Sequence, residues 1–241
     1  MRKNKISIPV LFFFLLGSVL ISCEKDEGSD NTKSTITDID GNVYEIVAIG
    51  NQWWMAENLK VTHYRNGDPI SNVTDETEWT NLSTGAYCNF DNNLNNVSTY
   101  GRLYNWYTVD DNRELAPAGW HVPTDEEWKT LEMYIGINQV DVDADGWRGT
   151  IEGGKLKETG TEHWLSPNIG ATNACGFLAL PAGYCSRYGA FLLIGQGADY
   201  WSATQSSDQL AWFRSLDYNR TDIRRDDIIK TYGFSIRCVK D

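Results

Sequence analysis

Pro117-Ala-Gly-Trp-His-Val-Pro-Thr124-Asp-Glu-Glu127-Trp128 is the stretch that decides how this chain is read. Pro117, Gly119 and Pro123 punctuate a loop, and a helix starts directly behind it. Thr124 and Glu127 have capping-box spacing: the Thr hydroxyl can accept the amide three residues on, and the Glu carboxylate can reach back. Asp125 and Glu126 complement the positive end of the helix dipole. Trp128, Leu131, Tyr134 and Ile135 form its apolar stripe, and Gly136 ends it.

Upstream, Asp38-Ile-Asp-Gly-Asn-Val-Tyr44 carries an Asp-Gly turn between apolar residues, which predicts a hairpin. Val43–Ile49 reads as a strand and Gln52–Met55 as its return. Tyr100–Val109 places Leu103, Trp106 and Tyr107 on one helical face. Downstream, a second helix is expected over residues 152–158. From Phe177 onward, Gly, Asn and Ser separate short aromatic-rich runs at 177–180, 191–194, 200–203, 210–216 and 232–239, which read as antiparallel strands. The layout predicts an α+β domain with two main helices, antiparallel strands and long irregular loops.

The N-terminus has a different character. Arg2, Lys3 and Lys5 precede an apolar run from Ile6 to Ile21, too short for a membrane span and flanked as in a secretory signal. It closes on Leu20-Ile-Ser-Cys23, similar to the lipobox of bacterial lipoproteins. That similarity implies cleavage after residue 22, acylation of Cys23, and a polar tether over 23–34 leading into a domain over 35–241. Glu24-Lys-Asp-Glu27 resembles the acidic export tag of Bacteroidetes surface lipoproteins. The expected location is therefore the outer membrane, lipid-anchored and facing the cell surface, with the membrane itself as one partner.

Losing the leader removes three cations and no acid, so the formal charge moves from −12 to −15. Such an acidic chain is repelled by phosphate backbones, which argues against nucleic acid as a partner. Ten Trp and twelve Tyr suit a loop-rich compact domain or a surface that stacks on sugars. Trp147, Trp164, Tyr184 and Tyr188 sit in Gly-rich, loop-like contexts and are the candidate ligand contacts; as core caps they would have no such role. Apart from Cys23, the cysteines are Cys88, Cys175, Cys185 and Cys238, an even set that allows two disulfides in three connectivities. Spacing favours a local Cys175–Cys185 bridge, leaving Cys88 for Cys238; the alternative is a set of buried thiols.

Asp141-Val-Asp143-Ala-Asp145-Gly146-Trp147-Arg148-Gly-Thr-Ile-Glu152 matches the twelve-residue EF-hand pattern. Asp141, Asp143, Asp145, the Trp147 carbonyl and Glu152 would be the calcium ligands. Arg148 at the eighth position and Gly153-Gly154 after the loop count against it, and a solvated acidic loop is the competing reading. No other cofactor is indicated.

Gly50-Asn-Gln-Trp-Trp-Met-Ala-Glu-Asn-Leu59, Gly101-Arg-Leu-Tyr-Asn-Trp-Tyr107, the opening stretch at 117–128, Gly154-Lys-Leu-Lys157, Gly176-Phe-Leu-Ala-Leu-Pro-Ala-Gly183, Tyr200-Trp-Ser-Ala-Thr204 and Gly233-Phe-Ser-Ile-Arg-Cys-Val-Lys240 occur in one order. Together they closely resemble the Fibrobacter succinogenes major paralogous domain. The resemblance implies kinship with C-type lectins and formylglycine-generating enzymes. Ala116 departs from it, since members often carry Cys there, and so do Cys175 and Cys185. The calcium triplets of lectins are absent, and the paired late cysteines of the related oxidases have no counterpart around Cys238, so catalysis is not expected. The resulting expectation is a surface module that binds an extracellular glycan or protein. A purely structural or adhesive component comes second and an enzyme third.

Overall fold

The computed structural model describes residues 34–241. The leader, Cys23 and the tether up to residue 33 lie outside the described residues. Among the described residues, fourteen strands, numbered in chain order, form three sheets. The first sheet has the order β1 (Thr35–Thr37), β2 (Val43–Ile49), β3 (Gln52–Met55), β14 (Val239–Lys240), β7 (Trp120–His121). A six-stranded sheet runs β10 (Phe191–Ile194), β9 (Ala182–Cys185), β11 (Gly197–Gln205), β12 (Leu210–Asp217), β13 (Ile223–Ile229), β8 (Gly146–Arg148). The small third sheet is β4 (Ser71–Asn72), β5 (Ala86–Cys88), β6 (Leu103–Tyr104).

The expected two-helix α+β class is corrected by this arrangement: the fold is mainly β. Asp125–Ile135 is an eleven-residue helix with both hydrogen bonds of the predicted capping box, and Gly136 ends it at φ 125°. The second expected helix shrinks to five residues, Glu152–Leu156. Gly153 and Gly154 tie it down, because a Cβ on either would meet backbone oxygen at 2.2 and 2.1 Å. The helical face expected over Tyr100–Val109 does not form as one piece. Gly101 at φ 74° breaks the chain into the turns Val97–Tyr100 and Trp106–Val109, with strand β6 between them.

Aromatic side chains make the interior. Trp54, Trp79, Trp106, Trp128, Trp164 and Trp201 are each under 2 % exposed. Trp54 and Trp128 pack with centroids 4.8 Å apart, and Phe177 and Tyr200 complete the group. Each such ring removes roughly 150–250 Å2 from water, on the order of 4–6 kcal/mol before entropy is charged against it. The aromatic richness of the sequence is therefore mostly core. Among the described residues no helix is long and apolar enough to cross a membrane.

The helix is docked on the six-stranded sheet by buried charge. Arg214 on β12 reaches Glu132 at 2.6 Å and Asp125 at 2.7 Å. Arg225 on β13 reaches Asp125 at 2.8 Å, and Arg148 on β8 reaches Glu132 at 2.7 Å. Burial alone would raise the Asp125 pKa, yet Arg225 and Arg214 hold it at about 2.

Candidate functional site

A hollow with largely apolar walls lies where the first hairpin meets the 111–122 loop. Asp38 builds its near wall. The Asp38 carboxylate accepts the amides of Asp40 and Asn42, both at 2.9 Å, and the Tyr44 hydroxyl at 2.6 Å, which closes the expected turn with Gly41 at φ 81°. Arg65 builds the far wall. Its Nε donates to the Ala116 carbonyl at 2.9 Å, and its Nη2 donates to those of Pro117 and Trp120 at 3.0 and 2.6 Å. Its Nη1 pairs with Glu114. One guanidinium thus gathers a loop that has few backbone partners of its own.

The space enclosed is about 250 Å3, lined by Thr37, Asp38, Ile39, Val61, Arg65 and Leu115–Ala118. Ile39 is 51 % exposed at the rim, while Val61, Leu115 and Ala116 are buried walls. On the other side of Arg65 a smaller hollow of about 130 Å3 is lined in part by Asp111, Glu114 and His121. His121 faces Glu127 at 2.8 Å and Asp241 at 2.7 Å. Burial opposes its charge, but hydrogen bonds to Asp241 and Glu127 raise its pKa, so it acts as a clamp between the helix start and the last residue. Arg65 stood out in no sequence pattern, because its acceptors are carbonyls 51 to 55 positions away.

The four aromatic candidates do not converge on this hollow or on one another. Trp147 is on β8 under Arg220, 4.3 Å from its ring centre. Tyr184 is on β9, packed against Tyr232 and Phe234 at 5.8 and 5.9 Å. Three strands separate β8 from β9, roughly 19 Å at the usual strand spacing. Trp164 is buried and donates to the Ala179 carbonyl at 2.9 Å. Tyr188 is 58 % exposed beside Arg187.

The five proposed calcium ligands are also dispersed. Asp143 pairs with Lys129 at 2.6 Å and Asp145 with Arg225 at 2.6 Å. Asp141 accepts from Asn138 at 2.5 Å. Glu152 turns away to accept the amides of Thr150 and Ile151 at 2.6 and 2.9 Å. The Trp147 position is a strand residue of β8 paired with Arg224, and only the five-residue helix Glu152–Leu156 follows the loop. Among the described residues, Glu158, Glu162 and His163 form the one set whose metal-binding atoms lie within 4.8 Å of one another, and Glu158 already accepts from His163 at 2.8 Å.

The cysteines are distributed over three separate parts of the core. Cys238 packs with Leu115 and Val122, Cys175 with Trp54 and Phe177, and Cys88 with Cys185 beside Trp79. The two expected pairs, Cys175 with Cys185 and Cys88 with Cys238, each join residues of different parts of the core.

No curated protein and no solved structure matches the chain. The model of the Fibrobacter succinogenes major domain matches residues 47–240, from the middle of β2 to the final strand. The hollow at Arg65 straddles the start of that match, since Thr37–Ile39 precede it. The ordered motifs and the extent of the match lead to one conclusion: the chain belongs to the Fibrobacter succinogenes major domain family.

Proposed function

We propose that this family member is an exported module, lipid-anchored at Cys23 on the cell surface, that binds a protein partner through the hollow at Arg65. The observation that carries the binding half is the character of that hollow. Between Asp38 and Arg65 its lining is mostly aliphatic, its volume of about 250 Å3 suits one or two side chains, and no aromatic ring lines it. The hollow offers a sugar no ring face to stack on, whereas an aliphatic notch beside a strand suits an extended peptide. Strand β1 ends at the hollow and is the edge of its sheet, so its outer backbone groups are available for strand addition. The anchor half is supported by the charged, apolar and small-residue zones that precede Cys23.

Two experiments test this. Labelled palmitate should enter the wild-type chain and not Cys23→Ser, and protease added to intact cells should degrade the protein. Peptide display against residues 34–241 should enrich sequences sharing one apolar residue, and Ile39→Asp and Ala118→Trp should each weaken their binding at least tenfold. Binding on a glycan array that both variants leave intact, with no peptide enriched, would replace the peptide reading by the glycan one.

A further inference from the structure

We infer that Cys88 and Cys185 are joined by a disulfide in the mature protein, a pairing that staples the small sheet to the six-stranded one. Cys88 is the last residue of β5 and Cys185 the last of β9, each 1 % exposed, and both line one crevice with Val73, Trp79 and Phe191. Their backbones are held independently. Cys88 is in register with Leu103 across β5–β6. Cys185 exchanges hydrogen bonds of 2.9 and 2.8 Å with Gly233. Gly233 is required for that approach, because a Cβ there would meet the Cys185 Cβ at 3.0 Å and Trp79 at 2.9 Å. The two side chains share one buried cluster and line one crevice, so the ends of the two strands already face each other. The partition of the core supplies the specificity: Cys175 and Cys238 belong to other clusters.

The chemistry is an ordinary dithiol oxidation. Each thiol gives up a proton and an electron as the S–S bond forms. The two electrons break the S–S bond of a disulfide-form oxidant, a thiol–disulfide oxidoreductase, whose two sulfurs take up the two protons. Burial pushes the Cys88 thiol well above its ordinary pKa, so Cys88 is a poor nucleophile once folded.

The inference uses the export reading only for the source of oxidant, and the experiment separates the two. The full chain, unfolded and refolded in a glutathione redox buffer, is alkylated without reductant, digested and weighed. The expected result is one linked peptide pair, Cys88 with Cys185, and alkyl groups on Cys175 and Cys238. The Cys175→Ala and Cys238→Ala variants should keep the link, and reduction should lower Tm by roughly 10 °C, as expected for a bond closing so long a loop. Alkylation or separate glutathionylation of Cys88 and Cys185 after refolding, or a link through Cys175 or Cys238, would overturn the pairing. The same measurement on protein extracted from cells, with the link present in the refolded sample and absent from the extracted one, would count against export and not against the pairing.

Discussion

Two buried groups of charge hold this fold together by opposite means. Around Asp125 and Glu132, three arginines from three strands of the six-stranded sheet find carboxylates at 2.6–2.8 Å. Around Arg237, which is 1 % exposed, the hydrogen-bond partners among the described residues include no carboxylate. Its guanidinium donates to Asn58 at 2.7 Å and to the carbonyls of Met55, Phe177 and Leu178 at 3.0, 2.6 and 2.9 Å, and it stacks on Phe177. The first group closes its charge ionically and fastens a helix to a sheet. The second spreads one charge over backbone dipoles and fastens irregular loops, including Leu178 at φ 54°. The contrast teaches that strands too short to support one another can be replaced by a cation aimed at their carbonyls.

Removing an anion from the first group should have the largest effect. Asp125→Ala leaves Arg214 and Arg225 buried without their shared partner, and should cost about 3–5 kcal/mol in urea unfolding at pH 7. That difference must depend on pH. The folded Asp125 pKa of about 2 lies below the ordinary 3.8, so its contribution is complete above about pH 4 and is lost as the pH falls through 2. The gap between wild type and variant should shrink by about 2 kcal/mol from pH 5 to pH 2. A gap that stays constant over that range would show that Asp125 works by packing and not by charge.

Arg237→Lys should come next, at about 2–3 kcal/mol, with no such pH dependence. A lysine keeps the charge but cannot present a planar fork to four acceptors on two segments, so at least two buried oxygens lose their donor. A cost below about 0.5 kcal/mol would mean that charge alone, and not the fork, organises the loops.

The difference between the groups also explains what was legible in the sequence. The helix at Asp125, its cap and its glycine stop are local, within reach of a periodicity argument, and they were read correctly. So were the Asp38–Asn42 turn and the return of β2 into β3. The two-helix α+β class failed because the run at 100–109 has helical spacing but must detour at Gly101, where a Cβ would meet Asn58 at 2.7 Å. The run at 232–239 looked like a strand and pairs as one only at Val239–Lys240. Before that it hands single bridges to Cys185, Tyr104 and Tyr200, an arrangement with no period. The hollow at Arg65 was illegible for the same reason: its parts come from residues 37–39, 61–65 and 115–118, and carbonyl acceptors leave no mark on a sequence.

Calcium should have the smallest effect, and that is the sharpest consequence of the ionic group. Asp143 and Asp145 have EF-hand spacing, but each already faces a protein cation at 2.6 Å, and Arg225 is held from its other side by Asp125. A divalent ion would have to displace an ammonium and a guanidinium fixed by the fold, and would still lack Glu152, which is spent on two amides. Calorimetric titration with Ca2+ should therefore give no binding heat, and Tm should move by less than about 1 °C at millimolar calcium. A rise of several degrees would mean that Lys129 and Arg225 release the loop on demand. The buried ionic group would then be a switch, unlike the carbonyl-held Arg237, which has no acid to exchange.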